Sequence, residues 1–399
     1  MIQFLRKVRL PVISAGILRF CYYYGRVLGV VSFGIERRVS DGSWAGRKQH
    51  RFKWYCLSLR ILCTILVCLF CAPYVLEIED PYDLTVQCIR LTSCFLCSIC
   101  ILVLQTVYEH ELLRMMNGLL RLFRRVRSLW SQKKFGFGGK REFFLLFFKS
   151  VCLAYEFKCH VVQLANPPDW LPTATTLGEI VIEIGSLMII HIGFLGYMSI
   201  AALYSEVNSF VRLELRRHLR SLERPGGGFV TRRHLRVVSN RLDECIEVYD
   251  EIERVGRSFH RLFELPVSMI LMFKIFATAV LSFEVIIDDD SYPSKAGMWG
   301  LVLKSFADVI LLTLAVHEAV GGSRVVRRLS LENCPLSEDK EWNMKWEMFL
   351  SRLNLFEFRV RPLGLFEVSN EVILFFFSGM ITYFTYVVQY GMQTNRLKM

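Results

Sequence analysis

The chain has 399 residues, is 53% hydrophobic, has a mean hydropathy of +0.35 and carries a formal net charge of +12. Unbroken apolar runs of about 20 residues, the length needed to cross a hydrocarbon core of roughly 30 Å, exclude a soluble globular domain. The basic excess falls between those runs and not in a separate aromatic-interleaved domain, which excludes nucleic acid as a partner. In chain order the apolar segments are 13–35, 57–77, 85–107, 143–165, 178–204, 266–287, 298–320 and 365–390. The first is interrupted by Arg19 and Arg26 and reads as an interfacial or re-entrant helix. The other seven read as transmembrane helices.

The charges between the spans give the orientation. Stretches 36–56, 108–142, 205–265 and 321–364 hold 35 Lys and Arg, and the alternating stretches 78–84, 166–177, 288–297 and 391–399 hold 3. Short cytoplasmic loops carry the positive residues, so the amino terminus is expected in the cytosol and the carboxyl terminus outside. The expected fold is all-α and polytopic, with seven transmembrane helices and a cytosolic helical anchor region. Its parts are a cytosolic N-terminal region (1–56), spans one to four (57–204), a cytosolic helical extension (205–265), spans five and six (266–320), a second cytosolic helix region (321–364), span seven (365–390) and an extracellular tail (391–399). This topology is the reverse of a G-protein-coupled receptor.

Two cytosolic patterns stand out. After the break at "RPGGG" (224–228), Leu235, Val238, Leu242, Cys245, Tyr249, Ile252, Gly256, Phe259 and Phe263 recur at alternating gaps of three and four. That is the rhythm of helix-on-helix packing, within one chain or between subunits. The stretch 338–364 is amphipathic; it would join such a bundle or lie on the membrane surface. The basic loop 121–141 reads as a solvated face near lipid head groups.

The chemistry-bearing motifs are few. Most of the 13 cysteines sit inside apolar runs, where cysteine packs as a small apolar residue. "HEAVG" (317–321) lacks the second histidine of a zinc hydrolase, and "PGGG" follows no strand. No enzyme, cofactor or metal site is read.

The last span ends in "TYFTYVVQY" (382–390). On a helix, Thr382, Thr385, Tyr386, Gln389 and Gln393 form one polar stripe. Such a stripe either bonds to neighbouring helices or lines a pore shared by several copies. Thr382, Tyr383 and Gln389, with Tyr390 where a phenylalanine is usual, resemble the Thr-Tyr-x5-Gln-Phe signature of insect gustatory receptors, relatives of insect odorant receptors. The reversed seven-span pattern and the long helical connection after the fourth span also resemble that family.

The resemblance implies a multi-pass protein in the plasma membrane of chemosensory neurons. It would be a subunit of a homo- or hetero-tetrameric, ligand-gated, nonselective cation channel, with the seventh helix (Thr382, Thr385, Tyr386, Gln389, Tyr390, Gln393) lining the pore. The cytosolic helices would then hold subunits together, and the small-molecule tastant would sit among the outer halves of spans two to six. Residues expected there are Tyr155, His160, Gln163, Glu179, Glu183, Phe283, Trp299, Lys304 and Asp308. Lys304 and Asp308 stand four apart, where they can neutralise each other. The alternative function is a metabotropic receptor or obligate co-receptor that does not conduct alone.

Overall fold

The computed structural model describes residues 10–37, 43–79, 81–129, 140–164, 170–215, 232–287, 295–324, 340–355 and 358–361, and residues 374, 378–386 and 389 of the last segment. The described chain is predominantly helical. Its elements are α1 (Leu10–Val27), β1 (Phe33–Arg37), β2 (Trp44–Lys48), α2 (His50–Leu76), α3 (Pro81–Thr106), α4 (Glu109–Leu129), α5 (Lys140–Leu164), α6 (Trp170–Phe210), α7 (Arg232–Ile287), α8 (Lys295–Arg324) and α9 (Lys340–Leu355). A last helix, α10, is described over 378–386.

The N-terminal segment departs from the expected single helix over 13–35. Helix α1 stops at Val27, and Gly29 follows in the left-handed region (φ 66°), where a side chain is strained. The chain then enters an antiparallel hairpin, with Phe33 paired to Lys48, Ile35 to Gly46 and Arg37 to Trp44. These strands are an exception to the expected all-α fold. They are held by tertiary bonds: the Tyr22 hydroxyl donates to Phe33 O (3.1 Å) and accepts from Ile35 N (2.9 Å). Gln105 Nε2, at the end of α3, donates to Gly29 O and Val30 O at 2.7 and 2.8 Å. The turn after α1 is thereby fixed to the same end of the bundle as the α3–α4 junction.

Among the described residues, five helices are long and apolar enough to cross a membrane, in α2, α3, α6, α7 and α8. Helix α5, expected to be a span, carries Lys149, Glu156 and Lys158 in its middle. Lys149 and Glu156 are buried against other helices, so two of its charges do not face lipid. The seventh expected span, 365–390, lies mostly outside the described residues.

Helix α6 is the hub. Its apolar window is 72% buried, against 28% and 24% for the windows of α2 and α3. Met188, Phe194, Tyr197, Leu203 and Tyr204 run down its length into the main core. With 41 residues it is roughly 60 Å long, twice the hydrocarbon thickness, and it continues as a short π-helical turn to Leu215. The expected continuation of the fourth span past residue 204 is therefore present; "RPGGG" lies outside the described residues. Helix α7 runs 56 residues through Pro266 without a break, joining the connection expected in the cytosol and the expected span five into one rod of roughly 84 Å.

The three-four seam of α7 is buried inside its own chain. Val238, Leu242, Cys245, Tyr249, Ile252, Phe259 and Phe263 all belong to the main core; the side chain of Leu235 is outside the described set. Tyr249 donates to Asn208 Oδ1 (2.6 Å) and stacks on Tyr204, while Phe259 meets Tyr197 edge-on at 5.1 Å. At Gly256 a Cβ would stand 3.0 Å from the Phe358 ring. Of the two partners the spacing allowed, the intramolecular one occupies this seam.

Helices α4 and α9 complete the layer. Leu122, Val126 and Leu129 are buried, which corrects the reading of 121–141 as a solvated loop: as far as Leu129 it is an amphipathic helix docked on α7. Glu109 and Glu111 in its first turn and Arg127 in its last complement the helix dipole. Arg121 and Arg125 meet Glu251 (2.9 and 3.3 Å), and Arg125 also meets Glu247. Helix α9 buries Trp342, Trp346 and Phe349 and ties Lys345 to Asp243 at 2.6 Å. Of the two readings of 338–364, this packing is the one that joins the helical layer; Pro362 and Gly364 lie outside the described residues.

Candidate functional site

Two features of the membrane bundle bear on function: one face of α10 and a buried ionic network. Helix α10 divides into two faces. On one, Met380 packs with Val309, Phe384 stacks on Phe306 at 6.4 Å, and the Tyr383 hydroxyl donates to Ala279 O at 2.9 Å. These contacts seat the helix against α7 and α8. On the other, Thr382, Thr385, Tyr386 and Gln389 are exposed. The two threonine hydroxyls donate back to Ser378 O and Ile381 O, each at 2.9 Å. Both bonds are made within the helix, and among the described residues these hydroxyls join no other helix. Tyr390 and Gln393 lie outside the described residues.

The ionic network lies where α5, α6, α7 and α8 meet. Lys304 bonds to Glu156 (2.5 Å) and to Asp308 (2.9 Å), and Lys149 bonds to Asp308 at 2.6 Å. All four side chains are at most 5% exposed. His191 Nε2 stands 3.6 Å from Glu156 Oε2, beyond hydrogen-bond reach, and Glu156 Oε1 has no hydrogen-bond partner among the described residues. Lys274 is buried within electrostatic reach of Glu156, Lys304 and Asp308. Lys149, Lys274 and Lys304 are balanced by Glu156 and Asp308, with Glu183 also acting on Lys274. Burying such charges is tolerable only because they are paired, and removing one partner of a buried pair typically costs about 3–5 kcal/mol.

The residues expected around a ligand separate into groups. Tyr155, Lys304 and Asp308 share the α5–α8 contact. The Tyr155 hydroxyl donates to Gly297 O (2.9 Å), and a Cβ on Gly300 would lie 2.0 Å from that hydroxyl, so only glycine admits the ring there. Lys304 and Asp308 do neutralise each other, with Glu156 and Lys149 as further partners. Lys304 is thereby taken up by Glu156 and Asp308. His160 is buried, Phe283 is half-buried and Trp299 is exposed. Glu179 and Glu183 line a small cleft with Val67, Leu91, Cys94 and Phe95. The side chain of Gln163 lies outside the described set. Sequence reasoning did not single out Lys149, Glu156, His191 and Lys274. The spacing of Lys149 and Glu156, seven apart on one helix face, was the available signal.

A separate apolar groove of about 350 Å³ lies between α3 and α7, lined by Ile89, Leu96, Met269, Met272, Phe273 and Phe276.

Residues 18–394 match the sequence profile of the 7tm chemosensory receptor family. Two proteins of Drosophila melanogaster provisionally named gustatory receptors 93c and 93b are 67% and 38% identical over 397 and 396 residues. These matches cover 100% of both chains for the first, and 99% of this chain and 98% of the relative for the second. The gustatory receptor for bitter taste 93a, from the same organism, is 22% identical over 94% of this chain and 92% of its own length. Among solved structures, the insect olfactory receptor OR5 from Machilis hrabei superposes with a TM-score of 0.64 at 13% identity, covering 94% of this chain and 99% of that one. The same receptor in complex with eugenol gives 0.62 at 12% identity, over the same shares of both chains. At these identities the likeness concerns the fold.

Proposed function

The chain belongs to the 7tm chemosensory receptor family, among the insect gustatory receptors, and from that premise we propose that it is a subunit of a tetrameric, ligand-gated, nonselective cation channel opened by a small tastant. The observation that carries this reading is the division of α10. One face is committed to α7 and α8, while Thr382, Thr385, Tyr386 and Gln389 are left uncovered by their own chain. A polar stripe facing lipid is costly, whereas the same stripe around a shared axis faces water and ions. The family resemblance adds Tyr390, and the sequence stripe adds Gln393, as further pore-lining residues in this reading.

In this reading the protein sits in the plasma membrane of a chemosensory neuron, with seven spans, its amino terminus in the cytosol and its carboxyl terminus outside. The charge distribution between spans supports that orientation. The tastant occupies the outer bundle beside the α5–α8 contact made by Tyr155, while Glu179 and Glu183 line a separate cleft. Ligand binding favours a splayed arrangement of four last helices. The ionic network holds the frame against which that movement occurs.

The test is ligand-evoked current from the purified protein reconstituted alone. The panel starts with bitter compounds, because one relative is named for bitter taste, and with small aromatics such as eugenol, which the fold neighbour binds. Current from the single chain supports the reading. Ligand binding without current from the single chain, and current only with a related subunit, would make it a co-receptor.

A further inference from the structure

The cytosolic layer contains a basic cavity that the channel reading does not use. Helix α4 has grooves on both flanks. One, of about 540 Å³, lies between α4 and the hairpin and is lined by Arg47, Lys48, Arg114, Arg121 and Arg124 with His110 and Asn117. The other, of about 320 Å³, lies between α4 and α7 and adds Arg254 and Arg261. The two share Arg114, Gly118 and Arg121, so they form one continuous trough around α4. Both volumes fall within the range of small-ligand sites.

The trough is built rather than incidental. Its outer wall is the hairpin, clamped to α4 by a reciprocal amide contact: Gly46 N donates to Asn117 Oδ1 (2.7 Å) and Asn117 Nδ2 donates to Gly46 O (3.3 Å). Lys48 and Lys53 close on Glu109 at 3.5 and 2.7 Å, fixing the same wall to the start of α4. Two acids line the groove beside α7: Glu251 is taken up by Arg121 and Arg125, and Glu111 is exposed at its rim, while Glu109 holds the two lysines. Arg114, Arg254 and Arg261 are exposed and have no side-chain partner among the described residues. Trp44 and Trp54 stand 52% and 59% exposed on the hairpin and at the start of α2, as aromatic side chains do at a membrane interface.

We propose that this trough binds a polyphosphorylated headgroup, with Arg114, Arg254 and Arg261 meeting its phosphates. Guanidinium groups suit phosphate because their planar donors bond it in pairs. A cluster of unpaired arginines beside interfacial tryptophans matches a phosphoinositide of the cytosolic leaflet. A soluble inositol phosphate presents the same chemistry. The lipid source rests on the cytosolic orientation proposed above; the binding itself does not.

The experiment uses the full-length protein in nanodiscs, which expose both leaflets and so read binding independently of orientation. Three probes are compared: nanodiscs containing phosphatidylinositol 4,5-bisphosphate, nanodiscs of equal charge made with phosphatidylserine, and soluble inositol trisphosphate added to neutral nanodiscs. Binding of a fluorescent bisphosphate headgroup lipid is expected to exceed that of phosphatidylserine. It should weaken roughly fivefold for each of Arg114→Gln and Arg254→Gln. The charge-matched pair Arg236→Gln with Arg352→Gln, on exposed positions outside the trough, is expected to leave it unchanged. Inositol trisphosphate binding as tightly as the lipid supports the site and assigns its ligand to the cytosol. Equal binding to both charged nanodiscs, or a loss in the Arg236→Gln with Arg352→Gln pair equal to that of Arg114→Gln combined with Arg254→Gln, would overturn the proposal in favour of diffuse surface attraction.

Discussion

Two helices of this chain carry a regular stripe that could meet a neighbour, and the fold treats them in opposite ways. The α7 seam is consumed by its own chain: Leu242, Cys245, Tyr249 and Ile252 are at most 1% exposed. The α10 stripe is left open: Thr382, Thr385, Tyr386 and Gln389 are exposed although the opposite face is firmly seated. Periodicity announces that a helix has a partner without saying whether the partner belongs to the same molecule. The composition of the two stripes differs in the direction this outcome requires. Apolar and aromatic side chains gain from burial wherever it occurs. Threonine and glutamine gain little from dry packing and suit a wet axis.

The comparison can be broken most forcefully at the seam. Phe259→Ala removes a buried ring packed against Tyr197 and Phe263 and is expected to cost about 3–5 kcal/mol. The thermal midpoint of detergent-purified protein should fall sharply, to the same extent in monomeric and assembled fractions. A loss confined to the assembled fraction would mean that the seam serves subunits after all. A comparable loss, about 3–5 kcal/mol, is expected for Lys304→Met, which strands the carboxylates it joins. Adding Glu156→Gln should recover part of it; an additive double variant would show that the two groups are not coupled.

Tyr249→Phe is a finer probe of the seam. It deletes the hydroxyl that donates to Asn208, at an expected cost of about 1 kcal/mol in the same unfolding assay. The smallest effect concerns Glu109 at the base of α4. Burial alone would raise its carboxyl pKa, but the bonds and charges of Lys53 and Lys48 outweigh it and hold the group below its usual 4.5. A carboxylate with a depressed folded pKa stabilises above the unfolded value and loses that contribution as pH falls through the folded one. The stability difference between the parent chain and Glu109→Gln is therefore expected to be constant near neutral pH and to shrink below about pH 4.5. A difference that grows on acidification would contradict the pairing.

Much of this was legible in the residues. Apolar runs marked the five described helices that are long and apolar enough to cross a membrane, and the three-four spacing marked the α7 seam down to Phe263. What the residues could not give was the identity of partners distant in sequence. The hairpin strands "FGIER" and "WAGRK" carry no alternating pattern and are held by Tyr22 and by Asn117, the latter 71 residues from Gly46. Helix α4 was obscured because the arginines of 121–127 read as solvated, whereas Leu122 and Val126 between them are buried. In the ionic network, Lys304 and Asp308 could be paired from their spacing. Their connection to Glu156 and Lys149 depends on how α5 lies against α8.

The most direct test of the account is aqueous accessibility on adjacent positions of α10. With the parent chain as control for native cysteines, Thr385→Cys and Phe384→Cys are each exposed to a charged thiol reagent during ligand-evoked current. The account predicts that modification alters the current at position 385 and not at position 384, whose ring is stacked on Phe306. Modification at 384 with indifference at 385 would contradict it.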